Sequence, residues 1–496
     1  MHSVATVLAL VVLATAVATT ADRLKAPAPS LLVLVGLGLA LIPGVPDVEV
    51  TPNVVSLVVL PPLLYAAATD VSSRELRAVL GRVAGLAFGL VLVTAAAVAV
   101  VVWLLLPGVT PAAGFVLGAV LASTDPVAVS ALGRRLALPP RLLALVQGES
   151  LLNDATSLVM FRIAVAGAVA GGTLSVTGAT GRFLGLAGGG ATVGVAVAIC
   201  AGFLRSRTED PVLETVLALV TPYAAYVLGE ALNVSGVTAV VLAGLVLGAR
   251  TRRFTSGPLR LQVAAVYDVL VFLLESVVFA LIGLQLPLLV RRLPAGRTDV
   301  AIAIVAVTAV LLLTRLAALL PAALVSGRRG GSGTAAGAAV ATWAGTRGVV
   351  PLAAALSMPL NIPGRPQLLV VATGVIVVTL VVQGLTLAPL VRRLGVTRDP
   401  QADQEEEALA RHRTAVAALS RLEELVDLEA APPPVAVRLR ADLSASTTAD
   451  YRRLRRELLA VEAAELLRLS ETGQISEPVR RRLQRGLDLE EAALDE

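Results

Sequence analysis

The sequence contains few of the residues on which soluble enzymes and metal centres are usually built. Its 496 residues include one cysteine, Cys200, two histidines, His2 and His412, and one lysine, Lys25. A single cysteine excludes a disulfide framework and a cysteine-based zinc or iron–sulfur site. The histidines lie at the start and in a charged tail, which excludes a histidine metal site. Only 16% of residues are charged, against about 25% in a soluble domain.

Apolar residues are abundant instead. They make up 56% of the chain, and the mean hydropathy is +0.82. Most are Ala, Val and Leu, and aromatic residues account for only 3%, a composition that suits lipid-facing helices. The net charge of +5 does not indicate nucleic-acid binding, because the arginines lie in short loops between apolar runs. The chain is therefore expected to be a polytopic, all-α membrane protein in contact with lipid.

The apolar runs have the length of membrane-spanning helices, which need about 20 apolar residues each. We place thirteen, at approximately 3–20, 29–43, 51–68, 83–106, 111–133, 140–170, 181–205, 211–231, 235–249, 262–290, 298–325, 334–358 and 366–391. Hydrophobicity ends at Arg392-Arg393-Leu394-Gly395. Residues 1–395 are thus expected to form a transmembrane domain and 396–496 a helical cytoplasmic tail for regulation or assembly, with helices at 405–431 and 449–470.

Loop charges predict the orientation. With the N-terminus outside, the loops on the cytoplasmic side carry nineteen Lys and Arg residues and those on the opposite side five, the bias expected of cytoplasmic loops. The tail then lies in the cytoplasm and the protein in the cell membrane. Ala16-Val17-Ala18 has the form of a signal-peptide cleavage site, but no Lys or Arg precedes the first apolar segment, which favours an uncleaved span.

Ionisable side chains inside spans are costly and are candidates for function. The predicted spans contain eight: Asp125, Glu149, Asp154, Arg162, Asp268, Glu275, Arg315 and Arg347. For Asp268, Glu275 and Arg315 a purely structural role, such as an ion pair or a position near a helix end, is an equal alternative.

Two spans carry helix-breaking residues beside a charge. The fifth contains Ser123-Thr124-Asp125-Pro126-Val127, and its proline clashes with the carbonyl of Ala122 and disfavours helical geometry at Asp125. The twelfth contains Gly345-Thr346-Arg347-Gly348 followed by Pro351. Interrupted spans in corresponding places of two halves indicate an inverted-repeat transporter with a binding site at the midplane. A simple proline kink with a buried Asp is the alternative for the fifth span.

The sixth span carries the polar run Glu149-Ser150-Leu151-Leu152-Asn153-Asp154. Ser150 and Asp154 are four residues apart and share a helix face, and Glu149 and Asn153 share the adjacent face. Oxygen donors of this kind suit a hard cation, although a structural polar network would have the same pattern. Arg347 needs a buried acid, for which Glu149 is the leading candidate and Asp125 the alternative.

These motifs, with Leu60-Pro61-Pro62-Leu63-Leu64-Tyr65, resemble the cation:proton antiporter-1 family of sodium/proton exchangers over roughly residues 1–395. The Asn153-Asp154 pair is the most specific mark. The resemblance implies thirteen helices in two inverted repeats of six, with broken helices crossing at the midplane, a dimerisation part, a moving core and a homodimer. It implies that Na⁺ and H⁺ bind in turn at Asp154.

The resemblance also implies roles for neighbouring residues. Ser150 and the Thr124 carbonyl would be cation ligands, and Asp125 would act directly or through water. Asn153 would hold the crossing helices, and Glu149 and Arg347 would form a structural ion pair. One position departs from the family: many members have a glutamate where this chain has Ala66, which puts the ligand number and the cation preference in doubt.

The expected function is therefore secondary antiport of cytoplasmic Na⁺, Li⁺ or K⁺ against external H⁺, serving pH homeostasis and sodium transport, with no cofactor and no enzymatic reaction. Exchange is expected to be electroneutral, because position 153 is neutral and Glu149 is engaged by an arginine. The alternatives are a cation channel and an intramembrane aspartyl protease, for which Tyr267-Asp268 supplies only half of the usual signature.

Overall fold

The structure, a computed structural model, describes most of the chain. The described residues are 2–24, 26–43, 55–71, 76, 81, 83–125, 138–169, 175–208, 210–254, 257–293, 297–327, 335–397, 400–428, 433–445 and separate positions between 455 and 494. They form two compact units, Met1–Thr397 and Arg398–Glu496.

The first unit is helical throughout its described part. Its helices are α1 His2–Leu24, α2 Ala28–Leu39, α3 Leu60–Asp70, α4 Val91–Leu105, α5 Pro111–Leu121, α6 Pro140–Val169, α7 Val176–Ser206, α8 Pro211–Ala231, α9 Gly236–Phe254, α10 Gly257–Arg291, α11 Arg297–Gly327, α12 Ala335–Trp343, α13 Val349–Leu356, α14 Arg365–Val378 and α15 Gly384–Leu394. Single π-helical turns precede α3 (Val55–Val59) and α4 (Leu86–Leu90), and a third, Thr379–Gln383, joins α14 to α15.

The expected membrane-spanning architecture is confirmed in its main features. Within the described residues, seven helices are long and apolar enough to cross a bilayer, and five shorter apolar helices accompany them. The number thirteen and the inverted repeats stay predictions, since part of the chain lies outside the described residues, including Pro126 and Val127 of the fifth-span motif.

The predicted interruption of the twelfth span occurs, and the fifth span stops being helical at its motif, beyond which residues 126–137 lie outside the described part of the chain. Helix α5 begins at Pro111, where the Thr110 hydroxyl accepts a hydrogen bond from the Ala113 N–H at 3.2 Å, and it ends at Leu121, after which residues 123–125 are non-helical. The twelfth segment divides into α12 and α13, separated by the non-helical residues 345–348. The breaks thus lie beside Asp125 and Arg347, as the proline and glycine positions predict.

Small residues allow several helices to pack at very short distance. A Cβ atom added at Gly36 of α2 would collide with the carbonyl oxygen of Ala280 in α10, and one added at Gly283 would collide with that of Val33. Gly118 of α5 makes the same close approach to Ala95 of α4. The scarcity of aromatic residues is consistent with this packing, in which backbones rather than large side chains meet.

The second unit contains α16 Pro400–Asp427 and α17 Pro433–Ala445. The helix expected at 405–431 thus ends slightly earlier, and the prolines at 433 and 434 begin the next helix, where they cost no backbone hydrogen bond. The expected helix at 449–470 lies largely outside the described residues. Arg455 donates to Glu490 at 2.6 and 2.9 Å, and these hydrogen bonds lower the pKa of Glu490.

The close contact of α2 with α10 predicts a sharp difference between two neighbouring glycines. Gly36→Ala should destabilise the protein by roughly 1–3 kcal/mol, because the new methyl group displaces a backbone carbonyl. Gly38→Ala is the matched control, since a Cβ there meets nothing within 4 Å. Thermal melting in detergent measures both. An equal melting temperature for the two variants would contradict the packing.

Candidate ion-binding site

The two interrupted helices meet each other at their breaks. The Asp125 N–H donates to the Thr346 carbonyl at 2.7 Å, and the Thr346 hydroxyl donates to the Asp125 carbonyl at 2.8 Å. Ser123 and Thr346 are fully buried. Non-helical backbone is tolerated at membrane depth only where protein or water satisfies it, and here each extended stretch satisfies the other.

An arginine caps each broken helix at its C-terminal end. The Arg347 Nε donates to the carbonyl of Leu121, the last residue of α5, at 3.0 Å, and its guanidinium also donates to the Gly345 carbonyl. The Arg315 Nε of α11 donates to the Ala341 carbonyl in the last turn of α12, also at 3.0 Å. Both guanidinium groups therefore face the negative end of a helix, where cations are stabilised.

Asp125 lies at the opposite kind of helix end. Gly348 precedes the first residue of α13, and a Cβ added there would overlap the Asp125 carboxylate. The carboxylate therefore rests against the N-terminus of α13, whose partial positive charge favours an anion. A side chain at position 348 would displace the Asp125 carboxylate, so this close approach requires glycine.

Residues 123–125 and 345–348 meet at one place, which is called the crossing below. Helix α6 brings the remaining predicted oxygen donors to it. Asp154 accepts a hydrogen bond from the Ser123 hydroxyl, and the Ser150 hydroxyl donates to the Thr124 carbonyl. Asp154 is 6% exposed and Ser150 1%, and the charge of Asp154 interacts with that of Asp125. No function is predicted for Ser123 from the sequence, although it lies in the same motif as Asp125, two residues earlier.

Asn153 connects α6 to the extended stretch after α5. Its amide nitrogen donates to the Glu149 carboxylate at 3.2 Å and, at 3.5 Å, to the Thr124 hydroxyl. Its side-chain oxygen is buried and has no hydrogen-bond partner among the described residues. The structure thus brings together Asp125, Asp154, Ser150, Thr124, Asn153 and Glu149 at one crossing.

The expected ion pair between Glu149 and Arg347 is wrong, because Glu149 pairs with Arg315. The two Arg315 terminal nitrogens lie 2.5 and 2.8 Å from the two Glu149 oxygens, and the side chains are 3% and 1% exposed. The Arg347 guanidinium lies at the carbonyl end of α5 and donates to backbone carbonyl groups instead. The pairing joins residues 166 positions apart, which no local pattern in the sequence marks.

Of the other ionisable residues in the predicted spans, Arg162 forms an ion pair, whereas Asp268 and Glu275 differ in their exposure. Arg162 forms an ion pair with Glu230 of α8 and donates to the Val234 carbonyl at 3.3 Å. Asp268 is exposed, whereas Glu275 lies partly buried near the middle of α10.

Tyr267 and Ala66 occupy positions that offer no carboxylate to the crossing. The Tyr267 ring stacks on that of Tyr65 at 5.7 Å between centroids, and its hydroxyl donates to the Ala218 carbonyl at 2.8 Å. Ala66 of α3 packs against the apolar core. Tyr267 therefore has a packing role.

Comparison with known proteins gives one consistent family. The family described as "Sodium/hydrogen exchanger, transmembrane" matches residues 8–393. The chain is similar to an uncharacterised Na⁺/H⁺ exchanger of Mycobacterium bovis, at 35% identity over 95% of this chain and 92% of that protein. It is also similar to the Na⁺/H⁺ antiporter ApNhaP of Aphanothece halophytica, at 33% identity over 84% of this chain and 78% of that protein.

The fold has a solved counterpart. The sodium proton antiporter MjNhaP1 from Methanocaldococcus jannaschii at pH 8 matches with a TM-score of 0.63 and 20% sequence identity, over 79% of this chain and 99% of that one. At this identity the likeness shows the fold alone.

The buried pair predicts a specific energetic coupling. Arg315→Ala should destabilise the protein by about 3–5 kcal/mol, because it leaves the Glu149 charge unpaired in the interior. Glu149→Gln keeps an acceptor for Asn153 and should relieve part of this penalty in the double variant, by about 1 kcal/mol or more. Thermal or denaturant unfolding in detergent gives the four free energies of the cycle.

The matched control is the same cycle with Arg347→Ala in place of Arg315→Ala. Arg347 donates to carbonyl groups, so its coupling to Glu149 should be clearly smaller. A coupling free energy between Glu149 and Arg347 as large as that between Glu149 and Arg315 would contradict the conclusion that Arg315 is the main partner of Glu149.

Proposed function

The chain belongs to the sodium/hydrogen exchanger family, and we propose that it exchanges cytoplasmic Na⁺ for external H⁺ by binding the two ions alternately at Asp154. Family membership confirms the resemblance noted in the sequence and makes the protein a secondary transporter of the membrane, supporting Na⁺/H⁺ exchange. It is not an enzyme, and the aspartyl protease alternative is wrong.

The observation that carries this proposal is the position of Asp154. It is a buried carboxylate whose hydrogen bond comes from the neutral Ser123 hydroxyl, whereas the nearby Glu149 is paired with Arg315. A buried carboxylate that gains neither a proton nor a cation pays a large desolvation cost. Asp154 is therefore suited to hold one or the other, which is the requirement for exchange by competition.

The surrounding oxygens supply a plausible cation shell. The Ser150 hydroxyl and the Thr124 carbonyl touch each other beside Asp154, and Asp125 contributes directly or through water. Hydroxyl, carbonyl and carboxylate oxygens are the donors that hard cations prefer. We propose Na⁺ as the main substrate and Li⁺ as a further one. Because relatives often carry a glutamate at the position of Ala66, transport of K⁺ is left to the assay below, which tests each cation in turn.

The remaining features of the proposal concern assembly and topology. The excess of basic residues in alternate loops supports an outside N-terminus and a cytoplasmic tail. We propose that residues 1–395 form the transport domain, that 396–496 regulate or assemble it, and that the protein functions as a homodimer in the cell membrane.

Asp154→Asn should abolish exchange while the protein still folds, because the amide removes the titratable charge and changes little volume. Na⁺-dependent proton movement in proteoliposomes, tested with Na⁺, Li⁺ and K⁺ in turn, measures the effect. Asp299→Asn, which alters an exposed carboxylate in the first turn of α11, is the control and should exchange normally. Normal rates in Asp154→Asn would rule out the assignment.

Exchange should be electroneutral. Asp125 is stabilised as an anion by the N-terminus of α13 and Glu149 by Arg315, so Asp154 alone changes its bound ion, and one Na⁺ replaces one H⁺. A membrane potential acts by about 2.3 kcal/mol per net charge per 100 mV, and here no net charge crosses.

The test sets the potential with K⁺ and valinomycin at fixed Na⁺ and pH gradients, once K⁺ is shown not to be transported. Rates should not depend on the potential. Rates that scale with it, or a steady transport current, would identify Asp125 as a second carrier, and a conductance without coupled H⁺ movement would favour a channel.

A further inference from the structure

Glu275 is a partly buried acid that the proposed exchange mechanism does not use. Three other acids of the described spans are neutralised by an arginine: Glu149 by Arg315, Glu214 by Arg205, and Glu230 by Arg162. Glu275 has no such partner, and no hydrogen bond reaches it within the described part of the chain. An unpaired carboxylate inside a span is costly and is by default a candidate for function.

Its position places it at membrane depth. Helix α10 runs from Gly257 to Arg291, so Glu275 lies near its middle, roughly 25 Å from either end at the α-helical rise of about 1.5 Å per residue. Ser276, the next residue, is 3% exposed. Glu275 itself is partly buried.

The packing of α10 brings Glu275 near the crossing. Helix α10 packs against α13, the helix whose N-terminus touches Asp125, and Glu275 lies close enough to Asp125 for the two charges to influence each other. Asp125 interacts in turn with Asp154. The three acids therefore form a series from α10 to α6, with Asp125 in the middle.

This series is not a single cage. Within the described residues no three acidic, histidine or cysteine side chains converge as they would around one metal ion, so the three carboxylates offer successive positions. Glu275 and Asp125 are partly buried, and Asp154 at the end of the series is buried.

We propose that Glu275 is an access residue for the transported cation, which it attracts and holds beside Asp125 before the cation moves to Asp154. The carboxylate contacts the cation transiently and does not replace Asp154 as the exchange site. This inference rests on the proposed Na⁺/H⁺ exchange. It assigns a substrate-binding role to α10, which contributes no other acid to the crossing.

The test compares Glu275→Gln with the wild type in proteoliposomes. Loss of one attracting charge should raise the KM for Na⁺ about tenfold, the scale of one charge–charge interaction across several ångströms of protein, while kcat stays close to the wild-type value. Glu275→Asp, which keeps the charge, should restore most of the affinity. Asp268→Asn removes an exposed carboxylate from the same helix and should leave the KM unchanged.

Three results would overturn the proposal: an unchanged KM in a folded Glu275→Gln protein, a collapse of kcat at unchanged KM, or the same KM increase in Asp268→Asn. Absence of exchange in the wild type would instead contradict the proposed function, so the two failures are distinguishable.

A second measurement needs no variant. Wild-type protein treated with a hydrophobic carbodiimide and mapped by mass spectrometry should show modification at Glu275, and Na⁺ should reduce it where an equal concentration of choline does not. Equal modification in both salts would also overturn the proposal.

Discussion

The site depends on one constraint, which is that helices α5 and α12 end inside the protein and must satisfy their terminal backbone groups there. The two hydrogen bonds between Asp125 and Thr346, one of them from the Thr346 hydroxyl, satisfy part of the requirement. Charges satisfy the rest, because Arg347 and Arg315 face the carbonyl ends of α5 and α12 and Asp125 faces the N-terminus of α13. Each charge has the sign that its helix end favours.

The contacts of the two arginines determine which carboxylate is left without a cationic partner. Arg315 reaches the end of α12 and also binds both oxygens of Glu149, so Glu149 is fixed as half of a neutral pair. Arg347 is occupied by the carbonyl groups of Leu121 and Gly345. Asp154, one helical turn beyond Ser150, accepts its hydrogen bond from the neutral Ser123 hydroxyl instead, and for this reason the proposed exchange places the proton or the cation on its carboxylate.

The sequence predicts those parts of this arrangement that are local. Proline and glycine beside Asp125 and Arg347 mark the interruptions, and the four-residue spacing of Ser150 and Asp154 places them on one face. The partner of Glu149 depends on the packing of α11 against α12, and Arg315 stands in an otherwise apolar run without a local signal. The π-helical turn at Thr379, whose hydroxyl accepts from the Arg347 N–H at 3.2 Å, has no sequence mark either.

The same packing limits how the site can change its exposure. Helix α5 is held against α4 through Gly114 and Gly118, which meet the backbone of Ala99 and Ala95. The residues that follow α5, 123–125, are hydrogen-bonded to Thr346, between α12 and α13, and to α6. Separating residues 123–125 from residues 345–348 would leave the Asp125 N–H and the Thr346 carbonyl without their hydrogen bond, at a cost of several kcal/mol for each group at membrane depth. Under the proposed exchange, these contacts are therefore expected to stay intact while the site changes its access.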